Sequence, residues 1–335
     1  MVSASSNGSS RAASFKARLI STILLWGIVA ATFISGKLWA LGVLVAAFTV
    51  VGSFEFLVLT EKQPGRECRR WSLIVCMGFL AALLIQALGG SLEKSGFLPE
   101  MTGVIAVTVG SFILRLRHPI EGDASVRAVA LALLGFVYVP VLFAGFIIRL
   151  TLLPPSIESG LWLILLVVVA AKFTDMGAYL VGTMFGRHKA IPHISPAKSW
   201  EGYIGSLFFA VGGAFAVHAL SGGRLDWLEW YHVAGLGVVL ALAAMIGDLA
   251  ESVLKRSLEV KDSGQVLPGI GGILDLIDSL CFALPVAYFY LLLAGFREVA
   301  AIHARSDGKK GYSAQESSDP WFHWIDRHQC AQGSA

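Results

Sequence analysis

Hydrophobic residues run along most of the chain in long stretches, broken by short polar and basic segments. A hydrocarbon core about 30 Å thick asks for roughly 17 to 25 apolar residues per helix. Nine stretches are candidates: about 19–36, 38–59, 71–89, 101–114, 128–149, 160–184, 201–221, 232–254 and 272–296. The fourth is short, so it either extends or lies partly in the interface. Spanning segments must satisfy their own backbone polar groups, and no alternating strand pattern is present. The expected fold is therefore all-α, a polytopic integral membrane protein with about nine transmembrane helices. No internal repeat and no separate soluble domain is visible. Trp39, Trp71, Trp200, Trp227 and Trp230 fall near span ends, where interfacial aromatics anchor a helix.

Composition agrees. Of 335 residues, 56% are hydrophobic before glycine is counted and 15% are charged, and the mean hydropathy is +0.70. Soluble domains reach about 45–50% apolar with glycine included and about 25% charged, so a soluble enzyme and a disordered or fibrous chain are both excluded. The net charge of +3 is small and the basic residues sit in short clusters between apolar runs, which removes nucleic acid as a main partner. Cys68, Cys76, Cys281 and Cys330 show neither a CxxC pair nor metal-ligand spacing. Arg11, Lys16 and Arg18 before an apolar run imitate a secretory signal, but the run from Leu19 to Ser35 is long and many spans come after it, so it is read as an uncleaved first helix. The expected organisation is a disordered lead (1–15), N-terminal transmembrane helices (16–159), a C-terminal transmembrane catalytic region (160–298) and a tail (299–335).

Counting Lys and Arg between spans gives orientation. With the N-terminus cytoplasmic, the inner segments hold Arg11, Lys16 and Arg18; Lys62, Arg66, Arg69 and Arg70; Arg115, Arg117 and Arg127; Arg187, Lys189 and Lys198; and Lys255, Arg256 and Lys261. The outer loops hold only Lys37, Lys94, Arg149 and Arg224. That asymmetry predicts a cytoplasmic N-terminus. The tail disagrees, since after nine spans it would lie outside while carrying Arg297, Arg305, Lys309, Lys310 and Arg327.

An ionisable residue near the centre of a spanning helix costs about 2.5–3.5 kcal/mol on insertion scales. Lys172 and Asp175 lie three apart on one face of the sixth span and can neutralise each other. Glu55, in the second span, has no evident local partner. Asp248 differs in its neighbours along the chain: Asp248, Ser252 and Lys255 share a helix face, and the next segment runs Lys261, Asp262, Gly264, Pro268-Gly269-Ile270-Gly271-Gly272, Asp275 and Asp278. Hard carboxylate oxygens from Asp248, Asp275 and Asp278 suit Mg²⁺, which prefers one or two carboxylates, waters and substrate phosphates. Glycines let backbone amides approach a phosphate chain, and Lys255, Arg256 and Lys261 supply positive charge. A metal with a phosphate clamp is the apparatus of phosphoryl or nucleotidyl transfer. The glycines alone would make only a tight turn.

A second patch on the same predicted side runs Gly186-Arg187-His188-Lys189 and then Ser195-Pro196-Ala197-Lys198-Ser199-Trp200-Glu201-Gly202. As plain structure, this is a positive-inside loop with Ser199 capping the seventh helix and Glu201 in its first turn. Ser195, Lys198 and the helix start can also bind an anion. His188 and His193 read as loop histidines.

At these residues the sequence resembles the phosphatidate cytidylyltransferase (CDP-diacylglycerol synthase) family. The family's signature, roughly S-x-x-K-R-x4-K-D-x-G-x4-G-H-G-G-x-x-D-R-x-D, stands here as Ser252, Lys255, Arg256, Lys261, Asp262, Gly264, Gly269, Ile270, Gly271, Gly272, Asp275, Leu276 and Asp278. The stretch Asp175-Met176-Gly177-Ala178-Tyr179, Gly182, Phe185-Gly186 and Ile194 to Gly202 is also similar to the family. Two positions depart: Ile270 replaces the usual His and Leu276 the usual Arg, and neither can donate a hydrogen bond or carry charge.

The resemblance implies CTP + phosphatidic acid → CDP-diacylglycerol + pyrophosphate, in phospholipid biosynthesis at a Mg²⁺-dependent site open to the cytoplasm. It assigns the metal to Asp248, Asp275 and Asp278, with Asp175 at a second cation. Lys255, Arg256 and Lys261 would offset charge on pyrophosphate. Asp262, Gly264, Gly271, Gly272, Ser195 and Lys198 would line the substrate site. Membrane lipid is a partner, a bacterial inner membrane is the expected location, and a homodimer is left open. The competing readings are a secondary transporter using Lys172, Asp175 and Asp248 as an ion path, a family member with altered substrate or lost activity, and a non-catalytic scaffold. A CDP-alcohol phosphotransferase lacks support because its D-G-x-x-A-R pattern is absent.

Overall fold

The apolar stretches fold as helices whose lengths are set by the bilayer they cross. The computed structural model describes residues 26–260, 264 and 271–296. Among those residues, eight helices are long and apolar enough to span a membrane. In chain order, α1 covers Trp26–Ser35, α2 Leu38–Leu59, α3 Arg66–Leu88, the short α4 Leu92–Ser95 and α5 Leu98–Arg115. One apolar span, Ala124–Leu152, consists of α6 (Ala124–Phe136), a π-helical stretch (Val137–Gly145) and α7 (Phe146–Leu152). Next come α8 (Ile157–Phe185), a hairpin of β1 (Lys189–Ile191) and β2 (Ser195–Ser199), α9 (Trp200–Leu220), α10 (Trp230–Ser257) and α11 (Ile273–Leu293).

One expectation is corrected, and another falls partly outside the described residues. The first of the nine candidate spans is represented by the ten residues of α1, which are too few to cross by themselves; the rest of that candidate, like the lead and the tail, lies outside the described residues. The segment after α8 is not a plain loop. It forms a two-stranded antiparallel hairpin pairing Lys189 with Ser199 and Ile191 with Ser195. The fourth candidate does extend, to the 18 residues of α5.

The 22-residue α2 is about 33 Å long, one hydrocarbon thickness. By contrast α8, with 29 residues, and α10, with 28, reach about 44 and 42 Å, so each overshoots the core by roughly two turns. The C-terminal halves of α8 and α10, the hairpin and the start of α11 carry the site. Within Ala124–Leu152, Pro140 has no N–H to give the helical ladder and its ring would crowd the preceding turn, and the wider π turn absorbs both defects.

Small residues let the helices of the C-terminal half close on one another, as is usual where lipid supplies no drive for helix association. A methyl on Gly205 would strike Val181 across the α8–α9 contact, and one on Gly237 would come within 2.9 Å of the Val211 Cα across α9–α10. In the N-terminal half, Trp71 donates its indole N–H to the Ala106 carbonyl at 2.9 Å, and Ser72 its hydroxyl to the Ala132 carbonyl at 3.0 Å. At the bundle end opposite the site, Arg149 of α7 meets Glu100 of α5 in a two-pronged pair, both contacts 2.7 Å, while its guanidinium stacks over Phe97 at 4.4 Å. Both partners are buried, so this fully satisfied pair ties α5 to the Ala124–Leu152 span.

Candidate functional site

Three helices and one strand assemble the site. Asp248, Glu251 and Lys255 stand at positions i, i+3 and i+7 of α10, hence on one face. Asp275 and Asp278 stand three apart in the first turns of α11, Lys172 and Asp175 on α8, and Lys198 on β2.

Each is placed by a local cause. Ser199 accepts the Gly202 amide at 3.2 Å and so starts α9 immediately after the strand, as a capping serine should; this fixes Lys198 at the strand end. Asp275 reaches back to the amide of Gly272, the N-cap of α11, at 3.0 Å. Gly271 makes that entry with φ +118°, a backbone region that a side chain disfavours, and a Cβ there would sit 3.1 Å from the Asp275 carboxylate. Asp278 accepts both the Ser279 amide (2.5 Å) and the Ser279 hydroxyl (2.9 Å).

The side chains then link across elements. Lys198 meets Asp248 at 2.5 Å, joining hairpin to α10. Lys255 bridges Glu251 (2.7 Å) and Asp275 (3.0 Å), joining α10 to α11. Lys172 lies 3.4 Å from Asp175, and the Ser279 hydroxyl lies 3.5 Å from the same Asp175 carboxylate, which draws α8 toward α11. Asp278 is within electrostatic reach of Lys172, Asp175 and Asp248. It is 5% exposed and Glu251 2%, while Lys172, Asp175, Asp248 and Asp275 are partly exposed, so the network runs from a buried floor to a solvent-facing edge.

The sequence-predicted residues divide accordingly. Asp175, Lys198, Asp248, Lys255, Asp275 and Asp278 come together. Ser195 stands at the far end of β2 from Ser199, Arg256 is exposed in the last turn of α10, and Gly264, Gly271 and Gly272 flank the entry to α11. Lys261, Asp262, Gly269 and Ile270 lie outside the described residues. Glu251, Ser279 and Lys172 belong to the network without having been chosen as site residues. The spacing of Glu251 to Lys255, four residues along a helix, was the available signal for the first. His188 is bound to Glu201 at 2.6 Å and stays outside the network.

The donor set can be tested against a divalent ion. Among the described residues no three His, Cys, Asp or Glu stand at cage spacing. Five carboxylates (Asp175, Asp248, Glu251, Asp275, Asp278) face three ammonium groups (Lys172, Lys198, Lys255), leaving formal negative charge to be met. Glu251 Oε1 is buried without a hydrogen-bond partner among the described residues. Hard oxygens in excess, few of them converging, fit an ion of the Mg²⁺ kind that completes its shell with waters and substrate phosphate.

Over 136 residues the chain is 38% identical to a phosphatidate cytidylyltransferase of Mycobacterium bovis, covering 41% of this chain and 43% of that protein. It is 43% identical over 138 residues to one from Haemophilus influenzae, covering 40% of this chain and 47% of that protein. With one from Staphylococcus aureus it shares 42% identity over 136 residues, 40% of this chain and 51% of that protein. The aligned part thus spans about half the length of these relatives or less. A model described as "Cytidylyltransferase family" matches residues 16–294, all eight spans and the charge network included, and on that match the chain belongs to the cytidylyltransferase family.

Proposed function

We propose that the protein is a phosphatidate cytidylyltransferase that joins the cytidylyl group of CTP to phosphatidic acid and releases pyrophosphate. The single observation that carries this reading is the coupling of three lysines to four carboxylates, with Asp278 beside them, across α8, the hairpin, α10 and α11, in a chain matched by the cytidylyltransferase model. A lysine ammonium has three donors. Lys198 and Lys255, each already held by a carboxylate, keep donors for the phosphate oxygens of a substrate, and their pairing fixes where those donors point.

In the proposed reaction a phosphate oxygen of phosphatidic acid attacks the α-phosphorus of CTP. A new P–O bond forms, the bond to the β-phosphate oxygen breaks, and pyrophosphate leaves with that electron pair. Phosphatidate is already anionic near neutral pH, so no dedicated general base is needed. Lys198, Lys255 and Arg256 offset charge on the departing phosphates, with Lys172 beside Asp175 at the deeper wall. Asp248, Asp275 and Asp278 are the residues from which one or two carboxylates would hold Mg²⁺, with Asp175 at a second cation, and the bound metal would neutralise nucleotide phosphate charge. The acyl chains stay in the bilayer while the head group enters from the membrane side, toward the cytoplasmic face of a bacterial inner membrane.

Incubation of purified protein with α-labelled CTP, phosphatidic acid micelles and Mg²⁺ tests the reading. Label in a chloroform-soluble product, dependent on both substrates, is expected. A protein that binds neither substrate yet moves an ion across liposomes would mark a transporter instead.

A further inference from the structure

Glu55 is an acid in a spanning helix with no charged partner on its own helix, and such a residue is costly enough to need a reason. It lies in α2, 2% exposed. Its Oε2 accepts the backbone amide of Leu274 at 2.8 Å across 219 residues of sequence. Leu274 is the second residue of α11, next to Asp275 and four before Asp278. The other oxygen, Oε1, has no hydrogen-bond partner among the described residues and faces Gly264: a Cβ there would lie 2.5 Å from Oε1 and 2.7 Å from Cδ. One turn earlier in α2, Gly52 brings the helix close to the same target, since a Cβ on it would stand 3.4 Å from Ile277.

One face of α2, built from Gly52 and Glu55, is therefore seated on the first two turns of the helix that carries two site aspartates. The first amides of a helix lack intrahelical acceptors, and a carboxylate there both accepts one and meets the positive end of the helix dipole. Asp275 satisfies the amide of Gly272 and Glu55 that of Leu274. We propose that Glu55 is a positioning residue for the transfer reaction: by holding the Leu274 amide and packing against Gly264, it sets the entry of α11 so that Asp275 meets Lys255 and Asp278 faces Asp175. It touches no substrate itself. The N-terminal helices, which contribute none of the assigned site residues, would then serve the chemistry through this contact.

The inference rests on the cytidylyltransferase reading, so its test has an arm that does not. In the full-length protein in micelles, Glu55→Met keeps volume and removes the acceptor, Glu55→Gln keeps an acceptor, and Gly264→Ala displaces the carboxyl from the other side. Hydrogen exchange of the Leu274 amide is expected to rise at least 10-fold in Glu55→Met and in Gly264→Ala, with segments of α5 unchanged, and to stay near the parent in Glu55→Gln. In the CTP assay, kcat should fall 10- to 100-fold in Glu55→Met while KM for CTP moves less than 3-fold, and Glu55→Gln should restore most of kcat. Parent-like exchange in a folded Glu55→Met or Gly264→Ala variant would overturn the proposal, as would a fall confined to KM. If Glu55→Met does not fold, Gly264→Ala decides. A parent protein with no transferase activity would sink the functional reading, and exchange would still decide whether Glu55 holds α11.

Discussion

Replacing Lys255 by Met removes one ammonium and leaves two carboxylates facing each other. The Lys255 nitrogen lies 2.7 Å from Glu251 and 3.0 Å from Asp275, and the side chains are 18%, 3% and 25% exposed respectively. Deleting one member of a buried pair costs about 3–5 kcal/mol, chiefly because the other charge stays buried and unmatched. The Asp275 share is screened by water at its exposed edge, which places the expected loss near the lower end, about 3 kcal/mol. For a chain of this size that corresponds to a fall of about 4 °C in the melting midpoint. Tryptophan fluorescence during heating in micelles reads it, with Glu251→Gln and the double variant alongside. Because the two side chains share one interaction, the double variant should be more stable than the summed singles predict, by about 1–3 kcal/mol. Strict additivity would refute the reasoning, since it would mean Lys255 and Glu251 do not act on each other.

Other expectations rest on the same geometry. Arg149→Met should destabilise the fold by about 3–5 kcal/mol, yet leave the kcat of surviving folded protein near the parent value, because the Arg149–Glu100 pair lies at the opposite bundle end. Gly271→Ala forces a side chain into a positive-φ position and toward Asp275, at a cost of about 1–3 kcal/mol; a variant with parent-like melting and turnover would contradict that placement. Lys198→Ala should lower kcat/KM by about 10²-fold or more if its ammonium offsets charge in the transition state, and steady-state kinetics with CTP will show whether it does. EDTA should stop product formation and Mg²⁺ should restore it.

The spans were legible because lipid admits few solutions: a long apolar run is a helix, and α2 has the bounds that hydropathy alone marks. The extra length of α8 and α10 was harder to see, since Glu158 and Ser159 at the start of α8 and Lys255, Arg256 and Ser257 at the end of α10 are polar and end no hydrophobic run sharply. The hairpin of 189–199 escaped because its strands hold three and five residues and show no alternation. Much of the site could be read from charged residues placed where charge is expensive, and the spacing of Asp248, Lys255, Asp275 and Asp278 put them on two helix faces. A linear reading cannot supply who meets whom. Lys198 finding Asp248, Ser279 reaching toward Asp175, and Glu55 finding the Leu274 amide are contacts set by helix packing, with no local signal in either partner.

If the carboxylates joined across α10 and α11 are the seat of nucleotidyl transfer, removing their charge must stop the chemical step itself. Single-turnover transfer of α-labelled CMP to phosphatidic acid, measured for the parent, Asp248→Asn and Asp275→Asn at matched folded concentration, addresses this most directly. Labelled lipid is predicted from the parent, with a loss of at least about 10²-fold in each variant. Variants that transfer label as fast as the parent would place the chemistry elsewhere.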